Sequence, residues 1–112
     1  MAQQPPGKTI AQFRPRPAYL LEQIRSAAAD SKNVAFGAHA LERMEERDIT
    51  TLDVLRTLRS GEIAGDIEAG KNIGEWKCKV VARKKGGRKV GVATVVLRTG
   101  RLFIKTAEWE DR

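Results

Sequence analysis

From Pro17 the apolar positions recur at helical spacing: Leu20, Leu21, Ile24, Ala27 and Ala28, with Glu22 and Arg25 outside the stripe. The spacing predicts a helix over about 17–29, opened by Pro17 and ended before the polar break Asp30–Asn33. Val34–Phe36 is a very short apolar segment, read as an edge strand leading into Gly37. A second helix is expected from about Ala38 to Arg47, with Ala40, Leu41 and Met44 on its buried side. His39, Arg43 and Arg47 follow at i, i+4 and i+8 along a neighbouring stripe. Asp48 and Ile49 break the period. Thr50 then caps a third helix, and Asp53 three residues on completes a capping-box-like pair. Leu52, Val54, Leu55 and Leu58 supply its core side, Arg56 and Arg59 face out, and Gly61 ends it.

Beyond Glu62 the period becomes two. Ile63 and Ile67 mark a short strand, followed by a turn at Ala69-Gly70-Lys71-Asn72. Trp76, Cys78, Val80 and Ala82 then alternate with Lys77, Lys79 and Arg83, a half-buried strand with one basic face. Lys84-Lys85-Gly86-Gly87-Arg88 is a hairpin turn in which the glycines permit positive φ. Val90, Val92, Thr94 and Val96 continue on a strand whose other face, Gly91, Ala93, Val95 and Leu97, is also apolar, which marks it as central. After the turn Arg98-Thr99-Gly100-Arg101, Leu102, Ile104 and Thr106 alternate with Phe103, Lys105 and Ala107. The expected class is α+β, with N-terminal helices packed on one face of a three- to four-stranded antiparallel sheet.

At 112 residues the chain has room for one core, expected over 17–112. Residues 1–16 hold Pro5, Pro6 and Pro15 and read as an extended or disordered arm. Arg14 and Arg16 in that arm are either solvated or contacts for phosphate or an acidic partner. No apolar run approaches the length of a membrane span, and MAQQPPGKT has no secretory pattern, so no membrane partner is expected. Cys78 is the sole cysteine, which rules out an internal disulfide and suits a reducing cytoplasm.

Net charge sharpens the partner question. The chain carries +7 formal charges, and its sequence pI is near 10.0. Such a field favours nucleic acid, an anionic surface or an acidic protein. One histidine and one cysteine, far apart, make no spaced metal-ligand set, and no phosphate-loop or dinucleotide fingerprint is present, so no cofactor is expected. Cys78 alternates with the basic positions and reads as a buried structural thiol.

What remains is metal-free chemistry on RNA, which brings its own nucleophile, the 2′-hydroxyl. Such a site needs an acid, a base and cations for the charge on the phosphorane-like transition state. His39 is the natural titrating group. Arg43 and Arg47 are candidates to clamp phosphate, and Lys77 and Lys105 to stabilise charge. Lys79, Arg83, Lys84, Lys85 and Arg88 are candidates for a wider RNA-binding surface. Each has a plainer reading: His39 filling a gap between helices, the arginines paired with Glu42, Glu45 or Glu46, and the lysines guarding a strand edge. Trp76 and Trp109 either stack on bases or pack at the core rim.

His39-Ala40-Leu41-Glu42-Arg43-Met44, then Glu46-Arg47-Asp48-Ile49, then Val54, Leu55, Leu58 and Gly61-Glu62-Ile63 resemble the signature of the bacterial domain-of-unknown-function family 4258. Ile104-Lys105-Thr106-Ala107-Glu108-Trp109 resembles that family's last strand. The resemblance covers roughly 34–110. The family is similar in helix-then-sheet order to the MqsR and RelE mRNA-interferase toxins. That implies a metal-independent endoribonuclease acting on mRNA, on or off the ribosome, with a cognate antitoxin in a type II module. The alternative is a non-catalytic RNA-binding or partner-binding regulator on the same fold. The toxins are associated with a glutamine and a tyrosine on the sheet, whereas here Tyr19 and Gln23 fall on the first helix.

Overall fold

The computed structural model describes residues 14–83 and 86–110. Residues 1–13 of the expected arm, and Lys84 and Lys85 of the expected hairpin turn, lie outside the described residues. Helix α1 (Pro17–Ala28) has Pro17 in its first turn and buries Leu20, Ile24, Ala27 and Ala28. Asp30 accepts from Lys32 N at 3.0 Å and starts a single 3₁₀ turn, which leads into β1 (Val34–Phe36). Helix α2 (Ala38–Arg47) buries Ala40 and Met44, but Leu41 is 50% exposed, because it lies off the stripe that those two define.

Helix α3 (Thr51–Ser60) begins with the reciprocal capping box expected of Thr50 and Asp53. Asp53 N donates to Thr50 Oγ1, and Thr50 N donates to Asp53 Oδ2, both at 3.0 Å. Val54, Leu55 and Leu58 of α3 are buried, and Leu52 is exposed.

Strands β2 (Glu62–Ala69), β3 (Trp76–Arg83), β4 (Lys89–Val96) and β5 (Leu102–Trp109) form an antiparallel meander. The sheet is nevertheless five-stranded and mixed, in the order β1-β5-β4-β3-β2, which corrects the expected three- to four-stranded antiparallel sheet. The fifth strand is the edge strand expected at Val34–Phe36, β1, which lies parallel to β5 through Val34↔Leu102 and Phe36↔Ile104. Three residues are too few to display a period, so the sequence left open its partner near the other end of the chain and its parallel sense.

The register sorts the side chains into two faces. Val34, Leu102, Ile104, Ala107, Val90, Val92, Val96, Cys78, Val80 and Ile67 join the buried residues of the helices in one aliphatic core. The opposite face carries Lys77 and Lys79 from β3, Ala93 and Val95 from β4, and Phe103 and Thr106 from β5. Strand β1 pairs with the first part of β5 only, and α2 runs along the remainder. Arg47 Nη1 donates to Ala107 O at 2.8 Å, and Trp109 Nε1 donates to Arg47 O at 2.7 Å. The first bond occupies a β5 carbonyl that an open edge would expose, and the second fastens the end of α2 to the strand.

Candidate functional site

Two local irregularities bring α2 to the uncovered face of the sheet. Gly37 N donates to Ile104 O at 3.1 Å, so β1 hands over to α2 beside Ile104. A Cβ on Gly37 would lie 2.7 Å from Phe103 Cζ, so only glycine allows the chain to turn so close to that ring. On β5 the register shifts between Ala93 and Thr94, pairing Thr106 with Ala93 and Ile104 with Thr94 and leaving Lys105 as the extra residue. Such a bulge re-aims the side chains beside it. The first turn of α2 and the bulge of β5 therefore meet at one place.

There the structure forms a cleft of about 400 Å³. Its chemistry comes from His39 of α2, Asp66 and Glu68 of β2, Lys77 and Lys79 of β3, and Lys105 and Thr106 of β5. His39 and Lys105 are exposed, and no hydrogen bond or ion pair engages either side chain among the described residues. Lys77 Nζ lies 3.6 Å from Glu68 Oε1 across the β2–β3 pair. Lys79 Nζ donates to both carboxylate oxygens of Glu110, at 2.9 and 3.1 Å, and lies 3.7 Å from Glu108. The hydrogen bond to Glu110 pushes the Lys79 ammonium above the ordinary lysine range and holds it charged. Glu110 reaches Lys79 across β4 over Gly91, where a Cβ would stand 2.4 Å from its carboxylate oxygen.

Three of the five residues expected to act in catalysis, His39, Lys77 and Lys105, thus line one cleft. Arg43 and Arg47 do not line it: Arg43 Nη1 meets Glu46 Oε1 at 2.9 Å, and Arg47 binds the Ala107 carbonyl. A straight helical stripe drifts along the axis away from the first turn, so His39 meets the cleft while Arg47 meets the far end of β5.

Of the described members of the expected RNA-binding set, Lys79, Arg83 and Arg88, only Lys79 lines the cleft. Arg83 Nη1 donates to Gly87 O at 2.8 Å, and Arg88 stacks on the Trp109 ring at 3.8 Å. A second cleft, of about 260 Å³, lies between α3 and the β3–β4 ends, with Arg56, Arg59 and Arg83 in its wall. It has no histidine, and Arg59 Nε donates to Ala28 O at 2.7 Å.

Asp66, Glu68 and Thr106 are cleft residues that the sequence reading missed. Their signal was present: Asp66 and Glu68 alternate against Ile63 and Ile67, and an acidic strand face beside a lysine face predicts cross-strand pairing. Cys78 is buried against the core, and burial pushes its thiol up to about 11. Among the described residues no group of three His, Cys, Asp or Glu side chains is placed to hold a metal ion, and no helix is long and apolar enough to cross a membrane.

The model of the family described as Domain of unknown function (DUF4258) matches residues 36–109, a span that includes every residue of the cleft. The chain belongs to this family. No curated protein and no solved structure matches it.

Proposed function

We propose that this member of the family is a metal-independent endoribonuclease that cleaves mRNA, with the 400 Å³ cleft as its active site. The observation that carries the reading is the convergence of an unpartnered histidine with two lysines, delivered by a helix and two strands far apart in sequence. In the reaction, the His39 imidazole takes the proton of a ribose 2′-hydroxyl. O2′ bonds to the adjacent phosphorus, the P–O5′ bond breaks, and Lys105 supplies the proton that the departing 5′-oxygen needs. Lys77 and Lys105 offset the charge on the non-bridging oxygens. The products are a 2′,3′-cyclic phosphate and a 5′-hydroxyl. Kinship with the RelE and MqsR toxins, and a cognate antitoxin as partner, belong to the same proposal and rest on the shared helix-then-sheet order.

A second reading has its own support. Lys77 and Lys79 face carboxylates, and the sheet lacks the glutamine and tyrosine associated with those toxins. These features favour a module that holds RNA without cutting it. Incubating the protein with single-stranded RNA in chelator separates the two. Cleavage with cyclic-phosphate ends is expected, falling about 100-fold or more in His39→Ala and vanishing on a 2′-deoxy substrate. Intact RNA bound by the wild type would leave the binding module standing, and equal cleavage by His39→Ala would remove His39 from the chemistry.

A further inference from the structure

Beside the cleft, on the same face of the sheet, lies a second recess of about 500 Å³. The two share Lys77 and Lys105, which therefore stand on the boundary between them. We propose that this recess is a nucleobase subsite, which seats one base of a single-stranded RNA whose neighbouring phosphate rests on Lys77 and Lys105. The inference rests on the reading above for the position of the phosphate, and adds what the site recognises.

The chemistry of the walls identifies the occupant. Val95, Leu97 and Phe103 give the recess an apolar floor. Phe103 is half-buried, and its ring lies where a side chain on Gly37 would otherwise stand. An apolar floor with an aromatic ring, edged by cations, matches a polymer in which flat rings alternate with phosphates. Lys71 adds a third ammonium at the rim, so the recess holds three lysines against the single carboxylate of Glu75.

That carboxylate is built into place. Glu75 Oε1 accepts from Asn72 N at 3.2 Å, Glu75 Oε2 accepts from Asn72 Nδ2 at 3.1 Å, and Gly70 N donates to Glu75 O at 2.7 Å. Each carboxylate oxygen keeps a lone pair for a further donor. The rim therefore favours a base edge that offers N–H groups, while the floor takes any ring. A duplex keeps its bases stacked inward and cannot place one in the recess, which restricts the ligand to single strands.

The test uses the wild-type protein and a fluorescein-labelled 2′-O-methyl RNA hexamer of mixed sequence, which lacks the nucleophile and so reports binding alone. In parallel hexamers one base at a time is removed while every phosphate is kept. Removal at one position is expected to weaken binding about tenfold. Phe103→Leu, checked for an unchanged thermal midpoint, is expected to lose most of that dependence. Affinity indifferent to base removal at all positions would overturn the subsite, as would a Phe103→Leu protein with the same dependence, or no binding of any hexamer. The two readings fail separately. Base-dependent binding by a protein that leaves unmodified RNA intact sinks the ribonuclease and keeps the subsite; cleavage without base dependence does the reverse.

Discussion

Burial decides what Cys78 is able to do. The residue stands at the edge of the cleft in the chain trace, yet its thiol turns to the core, and desolvation moves that thiol from 9.0 to about 11. It is therefore neutral at physiological pH and a poor nucleophile. The same shift sets a pH dependence. Between about pH 9 and 11 the unfolded thiol ionises while the folded one does not, so the folded state binds more protons and stability falls as pH rises. Lys79 acts in the same direction, because its raised value marks a pairing lost when the ammonium deprotonates above the ordinary lysine range. The urea midpoint is expected to drop from pH 8.5 to 11.5, and Cys78→Ala, which removes the thiol without overpacking the core, should flatten the drop below about pH 10.5 and leave the part above it. A midpoint that rises over this range would refute the assignment.

At the scale of elements, helix ends show how far local rules reach. The Thr50–Asp53 cap was legible because both partners sit on one continuous segment. Gly61 was legible as a terminator, but its reason was not. Its φ of −84° suits any residue, and what excludes a side chain is space, since a Cβ would stand 2.6 Å from Val81 O and 2.7 Å from Thr57 O. Asp48 is the converse, a non-glycine end to α2 held at φ 57° and ψ 44° in the left-handed region. The two positions should therefore respond oppositely. Gly61→Ala is expected to destabilise by about 2 kcal/mol, as backbone must move to admit the methyl group. Asp48→Gly is expected to stabilise by about 0.5–1 kcal/mol by relieving the left-handed strain. Denaturant midpoints moving in the same direction would show that the helix ends are not governed in this way. The parallel pairing of β1 with β5 and the exposure of Leu41 mark the limit of local reading, because contacts with distant residues determine both.

For the whole molecule, periodicity showed which residues share a strand face on β3 and β4 but not past the bulge of β5, where Ala107 rather than Thr106 joins Leu102 and Ile104 on the core face. Strand neighbours and registers are set by contacts distant in sequence. The grouping of His39 with Lys77 and Lys105, which line one cleft, and the Arg43–Glu46 pairing were therefore legible, but the bond that takes Arg47 to the Ala107 carbonyl was not. The sum of +7 misleads in a similar way. On the cleft side, Glu68 faces Lys77, and Glu108 and Glu110 face Lys79, so of these three lysines only Lys105 has no carboxylate partner among the described residues. RNA held in the cleft should therefore engage two or three cations rather than the full charge. Binding of the 2′-O-methyl hexamer, followed by anisotropy over a salt series, is expected to give a log–log slope of about −1.5 to −2, where engagement of every phosphate of the hexamer would give about −3.5. Glu110→Gln weakens the tether on Lys79 without touching His39, Lys77 or Lys105. Freed for a further phosphate, Lys79 should steepen the slope by about 0.7 and tighten binding at low salt. A slope near about −3.5 that ignores Glu110→Gln would locate the RNA on the outer arginines instead, away from the histidine.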